Sequence, residues 1–181
     1  MKIHRTPMEQ GNIEKVKECK FYSVVCQAIG DLFSIQGYST DFEVTGHPKG
    51  KQIPDRFLRD NTLLKHKRWL PTPDIMGLVQ RKPMRCELVV VEFKLKPTFM
   101  DIFQAKGYDG LFNSDFTFLI SQHPLYESSK KVLDFVKQRP ELLITRNGKE
   151  VVIKFLHKTP EGKITLAQLG SDVGILPDVI L

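Results

Sequence analysis

Hydrophobic positions follow two different periods along this chain. From Ile13 to Phe33, behind a capping Asn12, they recur at helical spacing: Phe21, Val24, Val25, Ala28 and Leu32 share one side at 100° per residue. Glu14 and Glu18 fall on or beside that stripe, where a core-facing helix usually carries no acid. Beyond Gly37 the period shortens to two. Ser39–Thr45 (STDFEVT) predicts a first strand, Asp74–Val79 (DIMGLV) a second and Glu87–Lys96 (ELVVVEFKLK) a third. The polar turn Gln80–Arg85 joins the last two as an antiparallel hairpin, and a short helix is expected after Pro54. Past Pro97, Phe99–Phe112 predicts a helix with Phe99, Ile102, Phe103 and Gly107 on one side and Gly110 at its end. Asp115–Ser121 is a fourth strand. Pro124 opens another helix, with Leu125, Val132, Leu133 and Val136 in its period, and Pro140 stops it. Glu141–Leu156 predicts two strands around Arg146-Asn147-Gly148-Lys149, because Asn-Gly is a strong hairpin signal. From Lys163 the pattern fades. This order predicts an α/β domain whose sheet carries helices on both sides. One domain is expected over residues 1–181, with a core of about 13–140 and a C-terminal hairpin and tail over 141–181.

The third strand breaks its own pattern. Side chains alternate faces along a strand, so Leu88, Val90, Glu92, Lys94 and Lys96 share one face, and Val89, Val91, Phe93 and Leu95 the other. The second face is apolar throughout. The first turns from valine to a carboxylate and an ammonium two residues apart. Either the strand emerges into water there, and the pair is worth little, or the two groups line a site. The hairpin brings Asp74, at the head of the second strand, toward Glu92 and Lys94. Two carboxylates at close range repel unless a cation lies between them. Mg²⁺ commonly takes one or two carboxylates and completes its shell with water and substrate phosphate. A lysine beside them can orient the attacking water or offset charge developing on a phosphate.

Pro73-Asp74, followed by Glu92-Phe93-Lys94 at the end of a valine-rich strand, resembles the signature of the PD-(D/E)XK nuclease superfamily. The resemblance implies a restriction-endonuclease-like core, a mixed sheet flanked by helices in the order αβββαβ, here with a C-terminal β-hairpin extension. Gln104-Ala105-Lys106-Gly107-Tyr108 is similar to the QxxxY element of RecB-like nucleases, and puts Gln104 and Tyr108 one turn apart on one helix side. The implied activity is metal-dependent hydrolysis of DNA phosphodiester bonds with Mg²⁺, or Mn²⁺ as a substitute. Asp74, Glu92 and the backbone carbonyl of Phe93 would hold the metal, Lys94 would position the attacking water, and Gln104 and Tyr108 would contact DNA or orient Lys94. The family often adds a glutamate from its first core helix, and Glu18 is preferred over Glu14. Two alternatives stay open beside this: a Holliday-junction resolvase or restriction-type endonuclease of the same fold, acting as a homodimer, and a nucleic-acid-binding module that has lost cleavage.

Charge narrows the partners. The net charge is +6 and the pI about 9.2, which permits a polyanion without requiring one. Basic residues concentrate in His47–Trp69, where Lys65, Lys67, Arg68 and the single tryptophan, Trp69, could form a DNA groove or a solvated insertion with one anchor. No apolar run is long enough to span a bilayer, and MKIHRTPMEQGNIEK lacks the apolar centre of a signal peptide. A cytoplasmic, DNA-associated location is expected. Three cysteines, Cys19, Cys26 and Cys86, argue against a disulfide framework, a zinc knuckle or a four-cysteine iron–sulfur cluster. Cys86 reads as a filler. The five histidines show no metal-ligand spacing, and no glycine loop of the phosphate-cradling type is present.

Overall fold

The computed structural model describes residues 17–46, 53–58, 71–122 and 127–168. Six strands form one mixed sheet in sequence order: β1 (Ser39–Val44), β2 (Ile75–Gln80), β3 (Glu87–Lys94), β4 (Phe116–Ser121), β5 (Val151–Lys158) and β6 (Ile164–Gln168). β1, β2 and β3 pair antiparallel, β4 and β5 add in parallel, and β6 returns antiparallel. The helices are α1 (Tyr22–Ile35), the single turn α2 (Asp55–Leu58), α3 (Phe99–Phe112) and α4 (Glu127–Gln138). The molecule is therefore α/β. Among the described residues no helix is long and apolar enough to cross a membrane.

The alternation along β3 decides the layering. Val89, Val91 and Phe93 pack with Val25, Ile29 and Phe33 of α1 and with Phe118, Ile120 and Leu156. Leu88 and Val90 point the other way, into a cluster with Met76, Tyr108 and Phe112. Leu119, Ile102, Ala105 and Val151 extend that second layer under α3. Helices thus cover both faces, and β3 is buried on each. Gly77 on β2 has a packing reason. It opposes Phe42 of β1, and a Cβ there would lie only 2.1 Å from the Phe42 ring. The aromatic ring occupies the space that a side chain would need.

Several expectations are corrected. Residues 17–19 are helical, but the chain turns at Lys20–Phe21 before α1 begins, and residues 13–16 lie outside the described residues. That break resets the phase, so the buried face is Tyr22, Val25, Ala28, Ile29 and Phe33 rather than the stripe through Phe21, Val24 and Leu32. α3 spans the expected Phe99–Phe112, but it ends on Asn113 in the left-handed conformation (φ 49°) rather than at Gly110. Its buried side is Ile102, Ala105, Tyr108, Asp109 and Phe112, and Phe103 is half exposed.

The Asn-Gly turn exists, with Gly148 at φ 74°, but it does not join two strands. Pro140–Leu143 forms a 3₁₀ turn, and one bridge, Ile144 to Glu150, precedes β5. The C-terminal hairpin is β5–β6, turned at Gly162 (φ 82°), so the segment after Lys163 is an edge strand. None of the three cysteines is in a disulfide, and Cys86 is exposed at the β2–β3 turn.

Candidate active site

The site forms where β2 begins and β3 ends. Ile75 stands opposite Val91, so Asp74, one residue earlier, comes beside Glu92 and Phe93. Asp74 is fully buried and tied on every side. Its Oδ2 accepts the Phe93 backbone N–H at 2.9 Å, and its Oδ1 accepts the Tyr22 hydroxyl of α1 at 2.5 Å. Its carbonyl accepts the N–H groups of Thr45 and Gly46 at 3.0 and 2.9 Å. A Cβ on Gly46 would fall 2.5 Å from Asp74 Oδ1, so that glycine is the condition for the close approach.

Glu92 does not emerge into water; it is 1 % exposed. Its Oε1 accepts from Lys94 Nζ at 2.7 Å and from Gln104 Nε2 at 2.8 Å. The same Gln104 nitrogen donates to the Tyr108 hydroxyl at 2.8 Å, and Tyr108 donates to the Thr72 carbonyl at 3.2 Å. The i, i+4 pair on α3 therefore acts as one unit that holds Glu92 and the approach to Asp74. Gln104 thus reaches Lys94 through Glu92; Gln104 is exposed at one edge, and Tyr108 is only 2 % exposed.

Lys94 gathers further acids. Glu18, buried just before α1, has Oε2 4.0 Å from Lys94 Nζ, and its Oε1 accepts the Leu95 backbone N–H at 3.4 Å. Asp101 Oδ1 stands 3.9 Å from the same ammonium. Asp101 also caps α3, its Oδ2 accepting the Thr98 N–H and hydroxyl at 2.6 and 2.8 Å. Burial pushes the Lys94 ammonium down, but Glu92 and then Glu18 pull it up by more, and the net direction is upward. Burial, followed by the neighbouring carboxylates, also raises the phenols of Tyr22 (with Asp74) and Tyr108 (with Glu92). Both tyrosines stay protonated and serve as donors.

The structure thus brings together Asp74, Glu92, Lys94, Glu18, Gln104 and Tyr108. The Phe93 carbonyl lies on the chain between Glu92 and Lys94, while the Phe93 ring packs away from the site on Phe21 and Tyr22. Glu14, Lys65, Lys67, Arg68 and Trp69 lie outside the described residues. Sequence reasoning missed Tyr22 and Asp101. A tyrosine on the core stripe of a helix needs a partner for its hydroxyl, and Thr98-x-x-Asp101 is a capping-box pattern; these were the available signals.

Among the described residues no group of three or more His, Cys, Asp or Glu side chains is placed to hold a metal ion. The donor chemistry nevertheless suits Mg²⁺. That ion needs only one or two carboxylates when water and phosphate complete its shell. A carboxylate offers about four lone-pair sites over its two oxygens, so one that is held by protein donors can also ligate a metal.

No family model, no curated protein and no solved structure matches the chain.

Proposed function

We propose that the protein is a metal-dependent nuclease with a restriction-endonuclease-like core, acting on DNA. The observation that carries this reading is the convergence of the buried acids Asp74, Glu92 and Glu18, from three distant segments, at the ends of paired strands, with Glu92 and Glu18 against the half-buried Lys94. Charged groups are costly to bury, and a set drawn from three places calls for a ligand that the set recognises. The β1–β2–β3 meander with β4 parallel to β3, flanked by α1 and α3, suits that core.

Asp74, Glu92 and the Phe93 carbonyl would hold Mg²⁺, which when bound supplies Lewis acidity at the scissile phosphate. The protein's own groups do the rest. Tyr22 and the Phe93 N–H fix the Asp74 carboxylate against rotation. Gln104, itself braced by Tyr108, fixes Glu92. Lys94 is an ammonium at neutral pH, so it donates rather than abstracts: it orients the attacking water and offsets negative charge on the phosphate. The positive net charge of +6 favours encounter with a polyanion.

The test is cleavage of linear, circular and single-stranded DNA in Mg²⁺ or Mn²⁺, with Asp74→Ala and an EDTA control. Cleavage that needs the metal and Asp74 supports the reading. A second reading, a nucleic-acid-binding module of the same fold, draws on the direct 2.7 Å bond between Lys94 and Glu92, since an ion pair closed on itself can be structural. Binding of DNA without cleavage in either metal would favour it.

A further inference from the structure

Ser121 ends β4 directly beside Lys94, its register partner on β3. Register partners in parallel strands project to the same face, so Ser121 lies on the face that carries Glu92 and Lys94. The pairing continues past it, with the Gln122 N–H donating to the Lys94 carbonyl at 3.3 Å, so the strand end is fixed. Ser121 is 0 % exposed, and among the described residues its hydroxyl has no hydrogen-bond partner. A buried hydroxyl left unpaired weakens the fold, and an alanine would fill the position without that penalty. The position is also the carboxyl end of two parallel strands, where open α/β sheets bind their ligands. A hydroxyl both donates and accepts, whereas its neighbour Lys94 only donates. The ligand that satisfies both is a water.

We propose that the Ser121 hydroxyl holds the nucleophilic water of the cleavage reaction together with Lys94. This rests on the nuclease reading above. In that hydrolysis the water oxygen forms the new P–O bond and the P–O bond to the leaving strand breaks. One water proton ends on the leaving oxygen, and the other remains on the new phosphate terminus or ionises from it to solvent. Ser121 is unchanged at the end; its part is to place the water oxygen in line.

The experiment compares cleavage rate, affinity for a labelled single-stranded DNA and melting temperature for the wild type, Ser121→Ala, Ser121→Thr and the blank Asp74→Ala. The expected result is a loss in kcat of about 10- to 100-fold for Ser121→Ala, with KM and DNA affinity within about 2-fold and a melting temperature equal to or above the wild type. Ser121→Thr, which keeps the hydroxyl, recovers most of the rate. Wild-type cleavage by Ser121→Ala overturns the inference while the nuclease reading stands. So does a fall in rate and melting temperature together without rescue by Thr, or an unfolded Ser121→Ala, because the hydroxyl would then be structural. A wild type with no cleavage above the Asp74→Ala blank overturns the nuclease reading, and the Ser121 role with it.

Discussion

β4 runs between two buried polar clusters, and the two are built on opposite plans. At its start, Thr117 shares a hydrogen bond with Ser114 Oγ at 2.7 Å. Ser114 also donates to Asp109 Oδ1 at 3.1 Å, and Asn147 Nδ2 donates to Asp109 Oδ2 at 3.0 Å. Lys149 Nζ donates to the Ser114 carbonyl. The Asn147 and Lys149 bonds tie the turn before β5 to the end of α3, and both Asp109 oxygens are engaged by neutral donors. At the other end of β4, Glu92, Glu18 and Asp101 crowd one ammonium, and among the described residues the Ser121 hydroxyl has no hydrogen-bond partner. Burial of charge is common to both clusters, so burial alone does not mark a site. The distinction lies in closure. A ring of neutral donors around one acid needs nothing further, while on the nuclease reading an excess of acids around one cation is completed by a ligand.

The sharpest way to break this contrast is Lys94→Ala. Cleavage should fall by roughly 10²- to 10³-fold with the fold and DNA binding retained, measured by circular dichroism and fluorescence anisotropy. Loss of the fold would make the two clusters alike. Asp109→Ala should do the opposite, lowering stability by about 2 kcal/mol in a urea titration because Ser114 and Asn147 lose a charged acceptor, while cleavage per folded molecule stays at the wild-type level. Tyr22→Phe falls between them. Removing the donor to Asp74 Oδ1 should cost about 1 kcal/mol, and single-turnover kinetics should show a rate loss several times smaller than that of Lys94→Ala.

The smallest effect is on pH dependence. Lys94 is raised above its unfolded value, so its charge stabilises the fold fully below the unfolded pKa and loses that contribution as pH rises through the folded one. The stability difference between wild type and Lys94→Met should therefore be flat from about pH 6 to 9 and shrink only above roughly pH 10.4.

What could be read from the sequence was what depends on neighbours along the chain. The faces of β3 followed from alternation alone, and the hairpin brought Asp74 to Glu92 without any tertiary information. The i, i+4 spacing put Gln104 and Tyr108 on one side of α3, although the acid that Gln104 reaches, Glu92, depended on how α3 docks. The phase of α1 was lost because the turn at Lys20–Phe21 leaves no mark in a hydrophobic period. Tyr22 was not singled out, since the acceptor that ties its hydroxyl is 52 positions away. Asn147-Gly148 correctly announced a turn but carried no information on its flanks, where Pro140 favours a 3₁₀ segment over a strand. β6 was legible in part: Thr159-Pro160-Glu161-Gly162 is a turn signal, and Ile164 and Leu166 alternate inward. Five residues are too few for that alternation to stand out.

One bond has a consequence for how the molecule comes into being. The Leu95 N–H reaches Glu18 across 77 residues, and Tyr22 reaches Asp74 across 52. Glu92 and Asp101 are near Lys94 along the chain, but Glu18 joins them only when the first helical segment docks on the sheet. A nascent chain that ends before the fourth strand holds some of the pieces but not the whole set, so the centre is complete only once α1, α3 and the first four strands have assembled. Its appearance during refolding would serve as a clock for the last long-range contacts to form.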